Sequence, residues 1–261
     1  MIEVNHVSKS FDLSKAQRKE LATTAKSVKA VDDVSFSCEP GKVHGLLGAN
    51  GAGKTTTLRM ISTIFKPTEG SIIINGIDAV KNPNEARKQI GFLTGSAGLY
   101  ARLTPNELIH YFGGLYGVDK QTIDQRKQKL FDLLDMNEFQ NKRIGKLSTG
   151  MKQKVSICRT MIHDPQVVIF DEPTSGLDVI TAENIIKLIQ NCKDEGKTVI
   201  LSSHIMGEVE LLCDNITLIH KGKTLFNDTM SAFKNQMQAP NLTAEFIRIV
   251  NENKTIHSQE A

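Results

Sequence analysis

No stretch of the sequence is apolar for long enough to cross a bilayer. The longest core runs, such as "VVIF" at Val167 to Phe170, are strand-sized, against the roughly 20 residues of a spanning helix. If the chain acts at a membrane, another chain must cross it. The four cysteines, Cys38, Cys158, Cys192 and Cys213, show no C-x-x-C spacing and no paired histidine pattern, which argues against zinc and fits a reducing compartment. The opening "MIEVNHVSKSF" alternates like a strand and lacks the basic region and apolar core of a signal peptide. Excess charge is missing too: a formal net charge of +3 is too small to argue for nucleic acid. The basic cluster from Lys15 to Lys29 has no interleaved aromatics for base stacking, so it reads as a solvated loop or hairpin insertion. What remains is ordinary globular composition, 39% hydrophobic and 23% charged over 261 residues. That length suits one large domain, or one domain with an inserted lobe.

Organisation follows from where the apolar period changes. From Met1 to about Ile77 the pattern is strand-like: "IEVNHV" and "AVDDVSFSC" alternate, "KVHGLLG" is a buried strand feeding a glycine loop, and "GSIIING" is a strand bounded by glycines. Between them "KTTTLRMISTIF" has helical spacing and is expected to end before Pro67. From Glu85 to about His163 the pattern turns helical. A Thr-Pro opening precedes "NELIHYFGGLYG", and Ile123, Leu130, Leu133 and Leu134 repeat along the next helix, which predicts an inserted helical lobe. The chain then alternates: strand "QVVIFDE", a helix closed by Gly196, strand "TVILSSH", a helix near "IMGEVELLC" and a hairpin "NITLIHKGKTLF". This order predicts an α/β fold whose mostly parallel sheet is covered on both faces. Beyond Asp228, short amphipathic helices and a polar, frayed tail are expected.

The stretch Gly48 to Thr55 fits G-x-x-x-x-G-K-[ST], follows an apolar strand and opens a helix, as a phosphate-binding loop must. Gly48, Gly51 and Gly53, with Asn50 between them, let the backbone curl so that successive N–H groups surround a β-phosphate. Lys54 would reach the β and γ oxygens, Thr55 would ligate Mg²⁺, and Thr56 completes the stretch. Asp171 and Glu172 follow four apolar residues, at the C-terminal end of a strand, where ligands of open α/β sheets gather. Alone, an acidic pair there is usually a loop start. Beside a phosphate loop, Asp171 would hold Mg²⁺ through water, and Glu172 would orient and deprotonate an attacking water. Asp178, in "PTSGLD", is placed to cap the helix that follows and to touch a partner as well. His204, ending "TVILSSH", reads either as an ordinary strand-end histidine or as one placed where an imidazole can hydrogen-bond a γ-phosphate. A second glycine-containing helix start, "KLSTGMKQK" from Lys146 to Lys154, offers another anion site with Ser148 and Gly150 at its mouth.

Taken together these motifs resemble the ATP-binding cassette family. The phosphate loop, "LSTGM" in the place of that family's L-S-G-G-Q, "VVIFDE", "SGLD" and a lone histidine after the next strand occur in the family's order, over about Met1 to Phe226. The resemblance implies a P-loop NTPase with a RecA-like core, an antiparallel β subdomain and a helical subdomain. Residues 1–228 would form the ATP-binding domain, with the helical subdomain at about 95–163, and 229–261 a helical tail. It implies that Phe11 stacks on adenine, and that Ser148 and Gly150 face the ATP held by a partner cassette, in a head-to-tail homodimer or paired cassette. ATP and Mg²⁺ are then expected, with an integral membrane permease as partner and no nucleic acid, at the cytoplasmic face of the membrane.

Departures from the family pattern are specific. Thr149 and Met151 stand where glycine and glutamine are usual, and Gly95 stands where a glutamine commonly contacts Mg²⁺ or the attacking water, with Ser96 as a shorter stand-in. The run "IGFLTGSAGLYARLT" is most similar to cassette subunits of bacterial sodium-extruding and related drug or polysaccharide exporters. The chain is therefore expected to be the ATPase subunit of such an exporter, with Na⁺ export as the narrower reading. The other readings are a soluble cassette ATPase acting on ribosomes or DNA, which would normally carry two cassettes or a long coiled-coil insertion, and a small-molecule kinase, which leaves "LSTGM" and His204 without a use.

Overall fold

The structure, a computed structural model, describes residues 1–20, 22–94 and 98–258. The first part of the chain makes an antiparallel sheet. Strands β1 (Ile2–Asp12) and β2 (Ser27–Cys38) pair as a hairpin, and β4 (Glu69–Ile74) and β5 (Ile77–Asp78) extend it in the order β2-β1-β4-β5. A short helix α1 (Lys15–Glu20) sits inside the connection expected to be a solvated loop or hairpin insertion, and none of its residues is buried. The second sheet has the order β10-β9-β3-β8-β7-β6. It is built from β3 (Val43–Leu47), β6 (Ile90–Leu93), β7 (Val167–Asp171), β8 (Thr198–Ser202), β9 (Asn215–His220) and β10 (Lys223–Thr229). All of its pairings are parallel except the β9–β10 hairpin at the edge.

Burial on both faces explains why the central strands read as continuous apolar runs. Along β7, Val167 and Ile169 join the core shared with the antiparallel sheet, whereas Val168 and Phe170 join the core under the helices. Helix α2 (Lys54–Ile61) lies between the sheets and contributes Leu58, Met60 and Ile61 to the first of these cores. It stops earlier than its apolar spacing suggests. Thr63 turns to φ 60°, and the amides of Ile64 and Phe65 both close onto Arg59 O.

Between β6 and β7 the chain is helical: α4 (Pro105–Leu115), α5 (Lys120–Leu133) and α6 (Thr149–Met161) bury Leu108, Ile109, Phe131, Val155 and Cys158 against one another. The helical stretch read from Glu85 nevertheless contains a strand. After helix α3 (Pro83–Lys88), "IGFL" forms β6 at the sheet edge, because a four-residue apolar run carries no period that separates strand from helix. Helix α4 begins with a capping box in which Thr104 Oγ1 accepts from Glu107 N at 3.2 Å and Glu107 accepts from Thr104 N at 2.8 Å. Thr104→Ala is expected to lower stability by about 1 kcal/mol, read as a lower urea midpoint at constant m.

Helices α7 (Val179–Asp194), α8 (Met206–Leu212), α9 (Met230–Gln236) and α10 (Leu242–Ser258) complete the layer under the second sheet. The last is a 17-residue helix where short helices and a tail were expected. Glu245 anchors its start. Its carboxylate accepts from Arg248 and from the amides of Gln238 and Ala239, and these donors, the guanidinium foremost, hold it down to about 2. Among the described residues no helix is long and apolar enough to cross a membrane.

Candidate functional site

The glycine loop joins β3 to α2, and two of its glycines, Gly48 and Gly53, are required by what surrounds them. Gly53 has φ 112°, and a Cβ there would lie 2.7 Å from Ala30 O; one on Gly48 would collide with Ile219 O. The loop is thus pressed between β2 and the β9–β10 hairpin. At the mouth of α2 the amides of Lys54, Thr55 and Thr56 have no upstream helical carbonyl, whereas Thr57 N reaches Gly53 O at 2.9 Å. Lys54 is buried and folds back, its Nζ donating to Gly48 O at 2.7 Å and Ala49 O at 3.3 Å. Burial pulls its pKa below the ordinary lysine value, and the carboxylates of Glu172 and Asp171 oppose that shift. A cavity of about 180 Å³ opens here, lined by Ala30, residues 49–56 and Glu172. A glycine cradle, a row of unpaired amides and a buried ammonium fit a phosphate chain.

The parallel sheet brings the acidic pair to this loop. Asp171 Oδ1 lies 3.4 Å from Thr55 Oγ1 and accepts from Ser202 Oγ at 2.6 Å. Glu172 has φ 50°, and its amide donates to both the carbonyl and the hydroxyl of Ser202, each at 3.1 Å. Its carboxylate sits 3.9 Å from Lys54 Nζ and 3.3 Å from His204 Nδ1. No group of three or more His, Cys, Asp or Glu among the described residues forms a metal cluster. One carboxylate with one neighbouring hydroxyl fits Mg²⁺, which keeps several waters and takes its remaining ligands from a phosphate chain.

A second space of about 470 Å³ shares Thr55 and Glu172 with the first and is lined also by Thr149, Gln153, Asp171, Ser175 and Leu177. The start of α6 therefore borders the site. Ser148 is its N-cap, exposed, with Oγ accepting from Met151 N at 3.2 Å. A Cβ on Gly150 would lie 3.6 Å from both Asp178 Oδ2 and Thr181 Oγ1, so the mouths of α6 and α7 adjoin. Asp178 caps α7, accepting from Thr181 N at 2.9 Å and from Thr181 Oγ1 at 2.8 Å, and these donors hold its carboxyl below the usual range. Asn50 and Thr56 line the phosphate cavity; Phe11 does not. Half-buried Phe11 pairs across the hairpin with Val28, packs edge-on to Phe65 at 5.4 Å and has Lys9 Nζ 5.2 Å above its ring. Gly95 and Ser96 lie outside the described residues.

Other residues at the site drew no notice in the sequence. Ser202 touches both acids, and Gln153 donates to Pro173 O at 3.0 Å. Glu208 accepts from Thr174 at 2.8 Å and from Ser203 at 3.2 Å. A cavity of about 410 Å³ between α5 and α7 holds the Lys197–Asp164 pair and shares none of these residues. On the outer side of α4, Tyr100, Tyr111, Leu115 and Tyr116 are exposed together. Tyr100 and Tyr111 meet at 6.1 Å, Arg159 covers Phe112 at 5.5 Å, and Tyr116 stacks on His163 at 3.8 Å.

Residues 31–175 match the family described as ABC transporter. The chain is 44% identical over 223 residues to the ABC transporter ATP-binding protein NatA of Bacillus subtilis (strain 168), covering 85% of this chain and 91% of that one. It is 39% identical over 201 residues to the bacitracin transport ATP-binding protein BcrA of Bacillus licheniformis, covering 76% of this chain and 64% of the relative. A solved ATP binding subunit of an ABC transporter superposes with a TM-score of 0.83 at 27% identity, over 95% of this chain and 99% of the other.

Proposed function

Because the chain belongs to the ABC transporter family as an ATP-binding ATPase cassette, we propose that it powers a bacterial exporter by hydrolysing ATP for a separate transmembrane subunit. The observation that carries this reading is the convergence of Lys54, Thr55, Asp171, Glu172 and His204 on one glycine loop, beside a second helix start that borders the same space. Lys54 and the amides of residues 54–56 hold the β- and γ-phosphates, displacing the carbonyls of Gly48 and Ala49 that the ammonium now contacts. Phe11 takes the adenine and Asn50 borders the phosphates. Glu172 accepts a proton from the water that attacks the γ-phosphorus as the bond to the departing ADP breaks. His204 steadies Glu172 and reaches the γ-phosphate. Thr55 and Asp171 would hold Mg²⁺, which supplies charge neutralisation along the phosphate chain. Ser148, Gly150 and Asp178 serve the ATP of a partner cassette.

Hydrolysis does no transport by itself, so the chain needs a docking face. The exposed aromatics of residues 100–116, within the segment Gly95 to Gly117, fit an amphipathic cytoplasmic helix of the permease. Na⁺ is the narrower cargo reading of the run "IGFLTGSAGLYARLT", and bacitracin is the cargo that one relative's name prints; the choice between them lies with the other subunit, which forms the transport path. Affinity purification of the tagged chain from its own membranes is expected to recover an integral membrane protein, and Tyr111→Glu to lose it while keeping basal ATPase activity. Recovery of ribosomes or DNA instead, with no membrane protein, would favour the soluble-cassette reading.

A further inference from the structure

The end of β8 lies between the strand that feeds the phosphate loop and the strand that carries the acids. Ser202 is level with Leu46 of β3 on one side and Asp171 of β7 on the other. It is fully buried in a strand whose five residues are all buried. A hydroxyl in that position must find partners. Among the described residues, both of its partners belong to the acidic pair. Oγ donates to Asp171 Oδ1 at 2.6 Å and accepts from the Glu172 amide at 3.1 Å, and the carbonyl of Ser202 accepts from the same amide at 3.1 Å. The adjacent Ser203 has a different task, accepting from Ile205 N at 3.0 Å and donating to Glu208 at 3.2 Å.

Glu172 needs such a hold. Its φ of 50° lies in the left-handed region, which a non-glycine residue leaves unless its surroundings enforce it. With the amide fixed to Ser202, the side chain leaves the backbone toward Lys54 and His204, at 3.9 and 3.3 Å. Asp171 depends on the same hydroxyl, since its other contact, Thr55 Oγ1, is longer at 3.4 Å.

We propose that Ser202 is a positioning residue of the hydrolytic site: one buried hydroxyl sets the Asp171 carboxylate and the Glu172 backbone in a single register, so that the water-activating carboxylate is already aimed when ATP arrives. This rests on Glu172 being the general base. Ser202 is fully buried and acts through Asp171 and Glu172. Its loss acts on kcat and leaves ATP binding to the loop.

The test compares Ser202→Ala, Ser202→Thr, Ser202→Val, Glu172→Gln and the Ser202→Ala/Glu172→Gln double variant. For each, kcat, KM, affinity for a fluorescent ATP analogue and the thermal unfolding midpoint are measured. Ser202→Ala is expected to lower kcat about 10- to 100-fold, the effect of losing a hydrogen bond to a charged group, with KM and analogue affinity within about twofold of the parent. Thr keeps the hydroxyl that Val lacks at the same shape, so Ser202→Thr should exceed Ser202→Val in kcat by about tenfold. Adding Ser202→Ala to Glu172→Gln should cost less than Ser202→Ala costs alone, the remainder being the part that runs through Asp171. A slow Glu172→Gln beside a parental Ser202→Ala overturns the proposal alone, as do equal rates for Thr and Val, or losses that multiply in the double variant. A parental Glu172→Gln overturns the general-base reading, and the proposal with it. If the Thr or Val variant does not fold, the alanine variant and the double variant decide.

Discussion

Glu172→Gln is expected to bind ATP as the parent does and to hydrolyse it about 10²–10⁴-fold more slowly, the usual contribution of a general base. The substitution keeps the shape of the side chain and the amide bonds to Ser202 O and Oγ, so the left-handed backbone at φ 50° is retained. What it removes is the basic oxygen. The glutamine amide cannot accept the proton of an attacking water, and the charge 3.9 Å from Lys54 Nζ disappears. Lys54 keeps its contacts to the loop carbonyls, and with them its reach toward phosphate. Steady-state phosphate release, set beside nucleotide affinity, separates the two effects. Hydrolysis at the parental rate would remove Glu172 from the chemistry.

The second large effect concerns the helix start at Ser148. It stands exposed at the mouth of α6, outside both sets of cavity-lining residues, although Thr149 next to it borders the larger space. If it serves the nucleotide of a partner cassette, each symmetric dimer holds two sites, each made from Lys54 of one subunit and Ser148 of the other. Lys54→Ala removes the phosphate cation, and Ser148→Glu sets a carboxylate against the γ-phosphate. Each preparation alone is expected to be inactive. Mixed together, about half of the dimers are hybrids, and each hybrid has one site with both defects and one with neither. Activity should therefore recover to at most about a quarter of normal, or to occlusion of one ATP per hybrid where a lone intact site cannot cycle. An arrangement within one chain predicts no recovery, because every site then carries a defect. Absence of both readouts, with hybrids verified by tag pull-down, would show that "KLSTGMKQK" does not serve the partner's ATP.

The sequence disclosed most where chemistry and backbone demand the same letters. The loop from Gly48 to Thr56 was legible because a tight turn, an ammonium and a hydroxyl stand contiguous in the chain, and residues 49–56 line a single cavity. The acids were legible from their place after "VVIF", since a strand buried on both faces ends where the sheet opens. Ser202 was not. Nothing in "TVILSSH" distinguishes a serine that points at Asp171 from one that points at Glu208; only the parallel register of β7 with β8 decides it. Strand β6 was hidden for a related reason, as four apolar residues after a short helix acquire an identity only by pairing with β7. The position of Phe11 also came from its neighbours: its partner across the hairpin is Val28, two residues before the Ala30 that lines the loop.

The chain has no tryptophan and only three tyrosines, and all three, Tyr100, Tyr111 and Tyr116, stand on the outer side of the helical lobe. Its tyrosine emission thus comes from a single patch, with no indole to quench or outshine it. The eleven phenylalanines contribute little in that spectral range. If a permease docks on this patch, as proposed, a docking helix that itself lacks tryptophan and tyrosine would leave the change in tyrosine emission to this patch, and the unlabelled protein would carry its own optical reporter of engagement.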